Sequence, residues 1–227
     1  MKIRFLGQSG YELTSGETRI LIDPYFSDIV GRLHGRPRLL PIPMTPEEMP
    51  CDGVFCTHTH LDHLDPETVV LFPEEQPFYS TQEGCDVLRK LGRKNVTALS
   101  MGQSVSVGAF TVTAVYALHS TEAFGMIVKA EDITLYFSGD TLYDDKLLEI
   151  ANYNPDITFI CINGRLGNMN TEEALATAKA IGAKVNIPNH YDMFASNSAD
   201  PHLFANYIPG GKILNFNEHI DIAALLY

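Results

Sequence analysis

The 227-residue chain carries 16 Lys+Arg against 28 Asp+Glu, a formal net charge of −12, with 45% apolar residues, 19% charged residues and no Trp. That acidic balance excludes a general nucleic-acid binder and a polybasic membrane-surface protein, both of which need clustered cations to meet phosphate. The ordinary apolar fraction excludes wholesale disorder and suffices for a buried core, which leaves a soluble enzyme or a binding module.

The apolar run at residues 3–6 is interrupted by Arg4 and closed by Gly7, too short for a signal-peptide core. No stretch approaches the roughly 20 apolar residues of a membrane span. Cys51, Cys56, Cys85 and Cys161 are scattered without paired spacing. They read as buried thiols, and a reducing cytoplasm is the expected compartment.

In chain order, short runs rich in β-branched and aromatic residues predict strands at 2–6, 11–13 and 18–22. Residues 23–51 then hold Pro24, Pro37, Pro41, Pro43, Pro46 and Pro50. Proline at that density denies regular ladders, so a long, semi-rigid cover loop is expected. A strand at 53–56 follows, then a helix entered by Asp65-Pro66 and running to Leu71. Thr81 is placed to cap a helix over 82–91, stopped by Gly92. Strands are expected at 105–107, 110–118, 126–129 and 133–137, a weaker helix at 143–150, and a strand at 157–162. Thr171-Glu172-Glu173 starts a helix whose stripe Ala174, Leu175, Ala178 and Ile181 ends at Gly182. A strand at 184–187 completes the series. Interleaved strands and helices imply layered α/β or α+β architecture in one domain, 1–227, rather than a barrel of regular βα units.

The stretch Thr57-His58-Thr59-His60-Leu61-Asp62-His63-Leu64-Asp65 follows an apolar strand. In extended backbone His58, His60 and Asp62 face one side, with His63 aimed differently. Three imidazoles and a carboxylate so close together have no packing rationale and supply N/O donors for Zn²⁺, Mn²⁺ or Fe. His119, Asp140 and His190 each lie just beyond another apolar β run, where a rigid sheet rim positions functional side chains.

His58-x-His60-x-Asp62-His63, the lone His119, Gly139-Asp140 and the late His190 resemble the five-histidine, two-aspartate pattern of the metallo-β-lactamase superfamily. Gly7-Gln8-Ser9-Gly10, Ile22-Asp23-Pro24, residues 136–141, Asn163-Gly164-Arg165 and residues 187–191 resemble the branch containing L-ascorbate-6-phosphate lactonase. The resemblance implies an α+β fold, a four-layer αββα sandwich, with two divalent ions per chain, Mn or Zn. His58, His60 and His119 would hold the first, Asp62, His63 and His190 the second, and Asp140 would bridge them. It further implies hydrolysis by a metal-activated hydroxide, with Asp62 as catalytic proton shuttle.

The expected substrate is a small anionic ester or lactone, with a sugar-phosphate lactone as one candidate, because two dications leave the site locally positive. The rivals are a phosphodiesterase or phospholipase-D-like hydrolase and a non-catalytic metal-dependent ligand sensor. Arg36, Arg38, Arg165 and Tyr191 are the candidate substrate contacts. His34, His202 and His219 receive no role, and the oligomeric state stays open, a homo-oligomer included.

Overall fold

Ile3 and Phe5 alternate with Lys2 and Arg4 along β1 (Lys2–Gly7), so one face of this strand is apolar and buried. The computed structural model describes residues 1–226. After β1 come β2 (Gly10–Ser15), β3 (Thr18–Ile22), α1 (Ile29–His34), β4 (Gly53–Phe55), α2 (Pro66–Val69), β5 (Phe78–Ser80), α3 (Gln82–Lys90) and β6 (Val96–Ala98). The second half holds β7 (Ser104–Val107), β8 (Phe110–Val115), β9 (Gly125–Ala130), β10 (Ile133–Phe137), β11 (Ile157–Cys161), α4 (Thr171–Ile181), β12 (Val185–Asn189), α5 (His202–Ala205), β13 (His219–Asp221) and α6 (Ile222–Leu226).

The strands form two mixed sheets, ordered β13-β1-β2-β3-β4-β5-β6 and β12-β11-β10-β9-β8-β7. In the first, β3 to β6 run parallel, and in the second β10, β11 and β12 do. One core joins the facing sheets, with Tyr11 packed edge-on against Phe159 and Phe159 stacked on Phe137. The outer face of the first sheet is covered by a second cluster, where Leu21, Val54 and Phe78 meet Val69, Phe72 and Leu88. Helix α4 packs on β11 and α5 on β12. Helices outside two packed sheets make the expected α+β sandwich.

Helix α4 starts at Thr171, as its local chemistry dictates, with Asn170 before it as the cap. Asn170 and Glu173 make a reciprocal capping box, and Gly182 closes the helix in the left-handed conformation. Strand β12 includes Pro188, which is tolerated because β12 lies at a sheet edge.

Other boundaries differ from expectation. The strand over 110–118 stops at Val115, and the segment that carries His119 is irregular. The weak helix at 143–150 is instead a 3₁₀ helix over Asp145–Tyr153, capped by the Asp144 side chain. The cover segment is not loop throughout, since α1 occupies residues 29–34 and is closed by left-handed Gly35. Strands β5, β6 and β13 have three residues each, too few for alternation to mark them.

Candidate metal centre

The site is built where strands end. Beyond β4, the Thr57 N–H and Oγ1–H both donate to the buried carboxylate of Asp23. The chain then turns sharply, with the N–H groups of His63 and Leu64 both reaching His60 O. This turn corrects the extended reading of residues 58–63. Asp62 does not join His58 and His60; it faces the same way as His63, toward His190. Left-handed backbone recurs around the site, at Gln8 (φ 56°), Gly139 (φ 57°) and His190 (φ 62°). At Gly139 a Cβ would lie 3.0 Å from Phe124 O. Such conformations in non-glycine residues persist where packing enforces them, and they cluster at functional sites.

All seven donors converge. His58, His60, His119 and Asp140 form one group and Asp62, His63 and His190 another, each with its ligand atoms within 4.8 Å of one another. His60 Nδ1 lies 3.1 Å from both His58 Nε2 and His119 Nε2. Asp140 stands between the groups. Its Oδ2 is 4.0 Å from His58 Nε2 and His119 Nε2 and 3.2 Å from His190 Nε2, while its Oδ1 is 3.3 Å from His63 Nε2.

Burial and charge shape these groups in opposite senses. Burial, aided by neighbouring imidazoles, pushes His58 and His60 below the ordinary imidazole range. Burial would also deprotonate His63, but Asp140, Asp23 and Asp62 outweigh it and push that group well up. His190 is pushed up to about 9, again against burial, by Asp140 and Asp62. Burial would raise Asp62 and Asp140 too, yet the facing His63 and His190 hold both carboxyls low.

The arrangement fits divalent cations. His63 Nε2 and Asp140 Oδ1 are buried and face each other at 3.3 Å without making an aligned hydrogen bond, and buried polar atoms so placed are fully met only by a further partner. Imidazole nitrogens and carboxylates facing one another across about 3 Å are the donor set of Zn²⁺ or Mn²⁺.

Further residues hold the donors in place, and sequence reasoning gave them no such role. The Nδ1 side of His63 meets Asp23 Oδ2 at 2.8 Å. Gln8 Nε2 donates to Asp62 Oδ2 at 2.7 Å, and Asn168 Nδ2 donates to Asp140 Oδ2 at 2.9 Å. His119 Nδ1 lies 3.0 Å from Gly167 O. Carboxylates and carbonyls behind ligating histidines fix their tautomer and orientation. Gln8 and Asp23 belong to quoted motifs, which was the available signal; Asn168 had none.

His60, Asp62, Asp140 and His190 floor a cavity of about 510 Å³ whose walls include Val30, His34, Arg36, Leu61, Leu166 and Phe194. Of the four candidate substrate contacts, Arg36 lines it and the other three do not. Arg38 is spent on structure, its guanidinium donating to the carbonyls of Tyr25, Ser27, Leu40 and Pro41. Arg165 reaches the carbonyl of Ser196. Tyr191 is buried with its ring stacked on Phe5. His34, given no role from sequence, lines the cavity, while His202 and His219 are exposed elsewhere.

A two-sheet sandwich with seven His and Asp donors at one rim defines a protein of the metallo-β-lactamase type. Residues 18–191 match the model of a Beta-lactamase superfamily domain, and the chain belongs to that superfamily. Among its relatives, a UPF0173 metal-dependent hydrolase of Methanosphaerula palustris is 31% identical over 210 residues, 86% of either chain. Another from Methanobrevibacter smithii is 31% identical, covering 99% of this chain and 94% of the relative. Among solved structures, an isothiocyanate hydrolase from Delia radicum gut bacteria shares the fold with a TM-score of 0.81 at 20% identity, covering 97% and 99% of the two chains. Igni18, a metallo hydrolase from Ignicoccus hospitalis, superposes with a TM-score of 0.77 at 22% identity, covering 96% and 97%. Among the described residues no helix is long and apolar enough to cross a membrane.

Proposed function

We propose that this metal-dependent hydrolase cleaves a small anionic ester or lactone at a centre of two divalent cations, Mn²⁺ or Zn²⁺. His58, His60 and His119 would hold one ion and Asp62, His63 and His190 the other, with Asp140 facing both. The observation that carries this reading is the convergence of seven donors in two adjoining groups, four of which, His60, Asp62, Asp140 and His190, line one cavity. When bound, such ions supply Lewis acidity and lower the pKa of water toward about 7.

The chain's own residues supply binding and proton handling. A cavity of about 510 Å³ suits a small metabolite rather than a polymer. Val30, Leu61, Leu166 and Phe194 present apolar surface to a carbon skeleton and exclude water. Arg36 offers a planar guanidinium to a phosphate or carboxylate on the same molecule. Asp62 has 16% of its side chain exposed against 5% for Asp140, which makes it the carboxylate placed to pass a proton to a departing alkoxide.

The test is a product screen of protein reconstituted in parallel with Mn²⁺ and Zn²⁺, against sugar-phosphate lactones, phosphodiesters and isothiocyanates. A ring-opened acid supports the reading, and a released phosphate monoester moves it to a phosphodiesterase. Tight ligand binding without turnover would point to the sensor alternative. Less than one metal per chain at saturation, with Asp62→Asn leaving hydrolysis unchanged, would sink it.

A further inference from the structure

We propose that Gln8 supplies its side-chain amide oxygen as an additional ligand to the cation of the Asp62, His63 and His190 group. This rests on reading that group as a metal site, and it adds a neutral oxygen donor to a set otherwise made of one carboxylate and two imidazoles.

Gln8 occupies the turn between β1 and β2, entirely buried, at a left-handed φ of 56°. Glutamine adopts that backbone only where the surroundings enforce it. The turn is enforced, since the His190 N–H donates to Gln8 O at 3.0 Å and Gln8 bridges to Tyr191 as an isolated β-pair. The backbone of Gln8 is thus tied to the residue that carries one of the donors, and its side chain is directed inward.

One end of the Gln8 amide lies 2.7 Å from Asp62 Oδ2 and 3.0 Å from His190 Nε2. Neighbouring donors on a six-coordinate cation with bonds of about 2.1 Å stand about 3 Å apart. This amide end therefore has the spacing of a ligand to the same ion as Asp62 and His190. As oriented, the end is Nε2, the correct choice beside a carboxylate with no cation between them, because an N–H donates where an oxygen would be repelled. The other end, Oε1, is buried without any hydrogen-bond partner. Rotating the carboxamide by half a turn exchanges the two atoms in nearly identical shape. It leaves one unpartnered end in place of another, so no hydrogen bond at Oε1 holds the amide against that rotation. A bound cation, which attracts oxygen and repels an N–H, would set the orientation.

The experiment is metal titration by equilibrium dialysis with elemental analysis, using Mn²⁺ and Zn²⁺ on the full chain and on Gln8→Ala, Gln8→Met and Gln8→Glu. The Co²⁺-loaded proteins are compared by visible absorption, and metal-free melting temperatures report folding. The expected result is that Ala and Met weaken one of two sites by roughly tenfold or more and leave the other unchanged. Glu, which keeps an oxygen at that position, retains or tightens binding and shifts the Co²⁺ spectrum. If the amide served only as an N–H donor to Asp62, Glu would lose as much as Ala, because a carboxylate cannot donate; that result overturns the proposal. Two wild-type sites unaffected by any of the substitutions also overturn it, while leaving the metal-site reading intact. A wild type that binds no cation at this group overturns both.

Discussion

His63 Nδ1 sits 2.8 Å from Asp23 Oδ2, a fully buried contact between residues 40 apart in sequence. The same carboxylate accepts two hydrogen bonds from Thr57, so one aspartate fixes both the histidine and the start of the donor loop. Burial pushes the Asp23 carboxyl up, opposed first by the charge of His63 and then by the hydrogen bonds from His63 and Thr57. Asp23→Asn should keep the fold and lower affinity at the second cation group by about 10- to 100-fold, the usual result of removing such a partner. Asp23→Ala leaves the buried His63 Nδ1 and the Thr57 N–H and hydroxyl without their acceptor and should also cost about 3 kcal/mol of stability. Metal titration with thermal melting of both variants checks this, and unchanged affinity in the Asn variant would refute it.

Metal binding should release protons. In the metal-free protein His190 is pushed up to about 9 by Asp140 and Asp62 despite burial, and His63 is also raised. Both are therefore charged at neutral pH, whereas a cation requires the neutral imidazole. The sign follows directly. Lowering pH strengthens the competing proton, so affinity at the second group falls in acid and rises until His190 has titrated near 9. Calorimetric titration in two buffers of different ionisation enthalpy counts the protons released. An affinity that does not change between about pH 6 and 9, with no proton release, would contradict the electrostatics described.

Arg36 and Arg38 should separate cleanly. Arg36 lines the cavity, whereas Arg38 ties together the carbonyls of Tyr25, Ser27, Leu40 and Pro41. Once a hydrolysed substrate is in hand, Arg36→Ala should raise KM about tenfold with kcat changed less than about threefold, the signature of lost uniform binding. Arg38→Ala should lose about 2 kcal/mol and lower Tm by about 4–8 °C. Steady-state kinetics and melting of both variants decide the matter, and a reversed pattern would remove Arg36 from the substrate site.

That pair also shows where sequence runs out. Two arginines in one proline-rich segment carry the same chemistry, and only the path of the chain around α1 separates a wall residue from a staple. The donor cluster was legible for the opposite reason, because histidines and aspartates just beyond apolar strands serve no packing purpose. Helix α4 was legible from its terminating glycine and apolar stripe. The short parallel strands β5 and β6 were not, since their pairing partners lie in distant segments and three residues carry no period. Asp23 could be quoted within a motif, but nothing local announces a partner 40 residues away. The extended reading of residues 58–63 failed because alternation applies only while a strand lasts, and β4 ends at Phe55.

Gly167 links the shape of the loop after β11 to the donor group of His58, His60, His119 and Asp140. Its carbonyl meets His119 Nδ1 at 3.0 Å, its φ is +91°, and an added Cβ would lie 2.9 Å from that same nitrogen. Gly167→Ala therefore strains the backbone and also drives the His119 ring from its place. Gly16 provides the control, since its φ of +57° imposes similar strain but its Cβ would meet nothing within 4 Å. Both substitutions should cost about 1–3 kcal/mol. Only Gly167→Ala should also weaken the site formed by His58, His60 and His119, by about tenfold, leaving the second unchanged. Site-resolved metal titration of the two variants, matched against their melting temperatures, tells the effects apart. Equal metal binding by both would mean that the position of His119 does not depend on the carbonyl behind it.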